Sequence, residues 1–119
     1  PHGGGELRDH VDPRKNQRVV SGLIMSKKGI DFNEGGFYFR DKNNKKLNIE
    51  DNLEIGDSVI FYGSIVHGVE AVDKDKKLNW KSYDGRWFIG MFVNDSNHVK
   101  NRITANDLTN STNFKKRAS

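Results

Sequence analysis

Short apolar or β-branched runs, each closed off by a cluster of Gly, Asn, Asp or Lys, recur along nearly the whole chain, and this restricts it to an all-β fold. No stretch places apolar residues at the spacing of an amphipathic helix. The runs predict strands over Glu6 to Val11, Arg18 to Ser26, Gly36 to Arg40, Lys46 to Ile49, Ser58 to Tyr62, Val66 to Val72 and Arg86 to Asn94. Between them stand turn signals such as Asp12-Pro13, Glu34-Gly35-Gly36, Lys42-Asn43-Asn44, Gly63-Ser64 and Asp84-Gly85. Short strands at this spacing imply a sandwich or a barrel. The segment Asp73 to Ser82 is polar apart from Leu78 and Trp80 and reads as a long loop. Periodicity ends after Asn94, so residues 1–94 are expected to form one β core and residues 95–119 an irregular tail. With 119 residues there is room for a single domain.

Composition removes several function classes. The chain has no cysteine, which excludes disulfides, thiolate metal sites and thiol nucleophiles, so a metal must be held by nitrogen and oxygen. Net charge is +4, but 16 acidic residues are interleaved with the 20 basic ones. The compact basic cluster, Lys115, Lys116 and Arg117, reads as a solvated tail, and no nucleic-acid partner is expected. No run approaches the roughly 20 apolar residues of a membrane-spanning helix, and no signal-peptide pattern opens the chain. A cytoplasmic address is the expectation. Pro1 in place of an initiator methionine is read as the mark of a fragment.

Alternate residues of a strand share a face, so His10 and Asp12 can aim at one ion. A third ligand is needed. His98 lies in a polar stretch and reads as a solvated loop residue, and His2 stands at the extreme start. His67 shares its strand face with Val69 and Ala71, which points it inward, either as a ligand or as a core histidine bonded to a backbone carbonyl. Two imidazoles and one carboxylate leave metal positions open, which suits non-haem Fe(II); catalytic zinc would also accept such a set. Arg86 opens a strand whose same face carries Phe88, Gly90 and Phe92. Burying an arginine there requires an anion, and a dicarboxylate matches the planar guanidinium with paired hydrogen bonds. The plain alternative is an arginine at the strand mouth that reaches water.

In order along the chain, Gly3-Gly4-Gly5-Glu6-Leu7-Arg8-Asp9-His10-Val11-Asp12, Glu34-Gly35-Gly36-Phe37, the run Leu53 to Phe61, His67-Gly68-Val69-Glu70-Ala71-Val72 and Gly85-Arg86-Trp87 resemble the prolyl-hydroxylase-like group of Fe(II)- and 2-oxoglutarate-dependent dioxygenases. The resemblance implies a double-stranded β-helix, a jelly-roll or cupin-like barrel that would be incomplete at its N-terminus. It implies His10, Asp12 and His67 as iron ligands and Arg86 as the anchor for the distal carboxylate of 2-oxoglutarate. Catalysis in that family uses O2 and couples decarboxylation of 2-oxoglutarate to substrate oxidation, usually hydroxylation, with ascorbate as an auxiliary reductant in some members. Asp12 argues against the halogenating branch, where a small residue replaces the carboxylate. Phe88 stands where many members carry a hydroxyl that helps to bind the cosubstrate, so Tyr38 or Tyr62 is the expected substitute. A small-molecule or peptidyl substrate is implied, and Arg8, Arg40 and Trp87 are candidates for its entrance. Two other readings fit less of the pattern. One is a cupin-like metal protein, an isomerase or sugar-binding module that does not need Arg86. The other is a binding domain with a decayed site.

Overall fold

The computed structural model describes residues 3–13 and 17–92 and the short strand at 106–107. His98 and the Lys115, Lys116, Arg117 cluster lie outside the described residues. The described chain is all-β: β1 Gly5–Val11, β2 Val19–Ile24, β3 Gly36–Arg40, β4 Lys46–Asn48, β5 Ser58–Tyr62, β6 His67–Val72, β7 Phe88–Phe92 and β8 Asn106–Asp107, with one 3-10 turn at Glu50–Asn52. Each strand expected from the sequence is present, with described ends that differ by no more than two residues; the expected end of the last one, Asn94, lies outside the described residues. Within the stretch expected to be irregular, Asn106 and Asp107 pair with Val11 and His10. No described helix is long and apolar enough to cross a membrane.

Two antiparallel sheets form, one in the order β4-β3-β6-β1-β8 and the other β5-β2-β7. The chain changes sheet at every step from β1 to β7 except at β3 to β4, which form a hairpin closed by Asp41. The Asp41 carboxylate accepts from the Asn43 and Lys45 amides at 2.8 Å each, and Asn44 takes a positive φ of 63° that asparagine tolerates.

Period-2 alternation decides what lies between the sheets. Along β2, Val20, Gly22 and Ile24 are buried while Val19, Ser21 and Leu23 are less so; along β5, Val59 and Phe61 are buried between exposed Ser58, Ile60 and Tyr62. These residues meet Phe37 from β3 in one core, with Phe39, Ile49, Leu53, Val69 and Phe88 packed against it. Phe37, Phe39 and Phe61 stand with ring centroids 5.0–5.5 Å apart in tilted or edge-on pairs, the separations aromatic rings favour. The core fills one end of the space between the sheets. The other end is a cavity of about 630 Å³.

Candidate metal centre

The first two histidine ligands expected from the sequence face each other across one strand pair. β1 and β6 run antiparallel with His10 opposite His67, and Asp12 follows two residues on along β1. The pairing is irregular between Leu7 and His10. Those two residues are an odd number apart, and a regular strand would turn them to opposite faces; the irregularity lets both line the cavity. All three candidate ligands are buried, His10 at 5%, Asp12 at 5% and His67 at 4% exposure.

Each imidazole is oriented by its own strand. His10 Nδ1 lies 2.8 Å from the Arg8 carbonyl oxygen, and His67 Nδ1 lies 2.8 Å from that of Ile65. A carbonyl can only accept, so Nδ1 donates in both rings and Nε2 is the nitrogen that each could offer to a metal. The His10 and His67 centroids are 4.2 Å apart, and His67 Nε2 stands 3.6 Å from Asp12 Oδ2. One donor atom from each of the three residues falls within 4.8 Å of the others, the one such grouping among the described residues. Burial pushes the His67 pKa down to about 4, against the backbone hydrogen bond to Ile65 that favours the charged ring, so this imidazole is neutral at neutral pH. The same loss of water raises the Asp12 carboxyl, and the charge of His10 acts in the opposite sense. These three residues can hold a metal ion, since its charge would compensate the buried carboxylate and its bonds would use the two Nε2 nitrogens.

Loop contacts fix Asp12. Its amide donates to the Gly63 carbonyl at 2.7 Å, and the Gly63 amide donates to Arg18 at 3.1 Å, so the turn after β5 is tied to both ends of the β1–β2 connection. Gly63 is required by close approach. A Cβ there would stand 2.9 Å from that of Asp12 and 2.6 Å from the Gln17 carbonyl oxygen.

From the opposite sheet, Arg86, Trp87, Phe88, Gly90 and Phe92 also line the cavity, so the shared face read from the sequence is present. The anion that Arg86 requires is supplied within the chain. Glu50, in the 3-10 turn after β4, accepts from Arg86 Nε at 2.7 and 3.0 Å and pairs with Nη2 at 2.5 Å. The burial of Arg86 is therefore satisfied without a ligand. Glu50 falls between the expected strand Lys46 to Ile49 and the run that starts at Leu53, and it was not singled out from the sequence. Its signal was the glycine pair: Gly36 has φ 110°, and a Cβ there would come 2.5 Å from Glu50 Oε2.

The two tyrosines expected beside a cosubstrate lie elsewhere. Tyr38 points to the outer face of its sheet, where its hydroxyl donates to Asp9, which also accepts from Arg40 Nε at 2.9 Å. Burial, and then the bond to anionic Asp9, raise the Tyr38 pKa. Tyr62 is 67% exposed on the outside of β5. Arg8 and Arg40 line a separate outer cleft with Tyr38; of the three entrance candidates Trp87 alone borders the cavity. One cavity residue was missed altogether. Gln17, in the polar run after Asp12-Pro13, is buried against the cavity, and nothing in its local sequence distinguishes it from a loop residue.

Fold and site together define an all-β protein with a buried two-histidine, one-carboxylate group able to bind a metal at the head of an open cavity. Comparison of the chain with protein-family models, curated proteins and solved structures returned no match.

Proposed function

We propose that this chain is the catalytic core of an Fe(II)- and 2-oxoglutarate-dependent dioxygenase, a hydroxylase built on a double-stranded β-helix. The observation that carries the proposal is the His10, Asp12 and His67 group, with one donor atom from each within 4.8 Å of the others, and the cavity of about 630 Å³ that the three residues line. Successive strands that alternate between two sheets support the barrel topology. Two histidines and one carboxylate that leave positions open are the ligand set of non-haem Fe(II) oxygenases. Bound iron, 2-oxoglutarate and O2 supply the oxidising chemistry, in which decarboxylation to succinate and CO2 accompanies transfer of an oxygen atom to substrate. The chain supplies the rest. His10 and His67 present neutral nitrogen donors and Asp12 an anionic oxygen. Phe37, Phe61, Phe88 and Phe92 exclude water from the cavity. Arg86, which lines the cavity, binds the distal carboxylate beside its pairing with Glu50.

A second reading draws on Glu50. Because Arg86 is already neutralised, a cupin-like metal protein that takes no 2-oxo acid fits the same triad. Succinate formation from 2-oxoglutarate with Fe(II), beside anaerobic affinities for Fe(II) and 2-oxoglutarate, separates the two. Asp12→Ala is expected to weaken Fe(II) binding more than about a hundredfold, beyond what loss of a group behind a ligand costs. The pair Glu50→Gln with Arg86→Gln removes both charges together. It is expected to keep Fe(II) affinity and to lose at least about tenfold in 2-oxoglutarate affinity, the equivalent of about 1.4 kcal/mol. Iron binding with no uptake of 2-oxoglutarate and no succinate would replace the oxygenase reading with the cupin one.

A further inference from the structure

Five polar side chains line the cavity: His10, Asp12, His67, Arg86 and Gln17. Three form the triad and Arg86 is held by Glu50. Gln17 is unaccounted for. It is 3% exposed, and its Nε2 is the one buried side-chain nitrogen or oxygen without a hydrogen-bond partner among the described residues. Leaving a buried amide donor unpaired costs about 1–3 kcal/mol, and such groups are rare enough to require a reason.

Position supplies the reason. The Gln17 amide donates to the Pro13 carbonyl at 2.9 Å, which closes the turn that follows Asp12, and the Gln17 carbonyl oxygen and the Asp12 side chain crowd the same face of Gly63. Gln17 therefore stands at the triad end of the cavity. We propose that the Gln17 carboxamide is a ligand-binding group there, with Nε2 donating a hydrogen bond to the carboxylate of a 2-oxo acid seated at the metal. Arg86 and Gln17 then divide the cosubstrate between them: the guanidinium takes the distal carboxylate and the carboxamide the proximal one. This assignment rests on the oxygenase reading and adds a residue that the family resemblance does not supply.

The test is Gln17→Leu, which keeps most of the volume and removes the amide, with Gln17→Met as a second variant. Three readouts are taken anaerobically: the thermal midpoint of the metal-free chain, the affinity for Fe(II), and the affinities of the iron-loaded chain for 2-oxoglutarate and for pyruvate, which lacks the distal carboxylate. Because Nε2 has no partner to lose, both variants should melt at or above the parent midpoint and bind Fe(II) as the parent does. Affinity for both oxo acids should fall by about tenfold or more, as loss of a hydrogen bond to a charged group requires. The Glu50→Gln, Arg86→Gln pair should instead lose affinity for 2-oxoglutarate alone. A lower midpoint in both variants would make Gln17 a structural residue, and weaker Fe(II) binding would make it a support for Asp12; either overturns the proposal. Unchanged oxo-acid affinity in a parent that binds them overturns it and leaves the oxygenase reading intact. A parent that binds Fe(II) but neither oxo acid removes both.

Discussion

At the scale of single residues, the Glu50–Arg86 pair carries the largest energetic consequence. The two side chains are 4% and 11% exposed and meet through the Nε and Nη2 edge of the guanidinium. Whether such a pair stabilises the fold relative to apolar residues is a separate matter from what happens when half of it is removed. Glu50→Ala leaves a guanidinium over the Phe88 ring with no anion, and is expected to cost about 3–5 kcal/mol, a large share of the stability of a small domain. Changing Arg86 to Gln as well should recover most of that loss. Urea unfolding of the two variants and the parent, in the absence of ligand, measures it; equal stability of Glu50→Ala and the parent would show the pair to be dispensable. The sequence was legible here to an uneven degree. His10, Asp12 and His67 could be found because strand alternation fixes their faces, and the same alternation, applied further, places Tyr38 opposite the inward Phe37 and Phe39, and Tyr62 opposite the inward Phe61. Glu50 and Gln17 could not be found, because each is buried by a turn rather than by a periodic element.

At the scale of elements, strand existence followed from apolar runs and turn residues, and strand ends shifted where a neighbouring strand stops. What alternation could not give is the partner of each strand, since pairing of β1 with β6 is decided by contacts distant in sequence. It also could not give the irregularity in β1 that brings Leu7 and His10 to one face. The three-stranded sheet has a further property. Its inner face holds Val20, Ile24, Val59 and Phe61, but Ile60, Tyr62, Ile89 and Met91 are 69%, 67%, 48% and 43% exposed on the outer side. β2 lies between β5 and β7 and adds Val19 and Leu23 to this side, so all three strands carry apolar side chains there. The chain alone is expected to self-associate through this face and through the edge of β7. Ile60→Lys combined with Ile89→Lys should shift the sedimentation profile toward monomer while Fe(II) affinity stays at the parent value, because neither residue borders the cavity. Undiminished association in that variant would place the contact elsewhere.

At the scale of the whole molecule, the cavity is lined by residues of both sheets. The three candidate ligands lie on or directly after adjacent strands of one sheet, whereas Arg86, Phe88 and Phe92 come from the segment that runs into the other. A metal alone therefore ties β1 to β6 within a sheet. Under the proposed function, a 2-oxo diacid that reached from the metal to Arg86 would tie one sheet to the other. Anything that binds the folded chain and not the unfolded one raises stability by an amount set by its concentration over its Kd, about 2.7 kcal/mol at a hundredfold excess. For a domain of this size each kcal/mol moves the thermal midpoint by about 4–8 °C. Fe(II) added anaerobically should raise the midpoint, and a chelator should reverse the rise. Addition of 2-oxoglutarate should raise it again, but only when metal is present, because the proximal carboxylate needs the ion while the distal one finds Arg86 already paired with Glu50. Linkage makes the converse obligatory: 2-oxoglutarate must tighten Fe(II) binding by the same factor that Fe(II) tightens 2-oxoglutarate binding. Pyruvate, which spans no distance between the sheets, should give a smaller second step. If 2-oxoglutarate stabilised the metal-free chain as much as the iron-loaded one, its site would be independent of the triad, and the cavity would not be the place where the two sheets share a ligand.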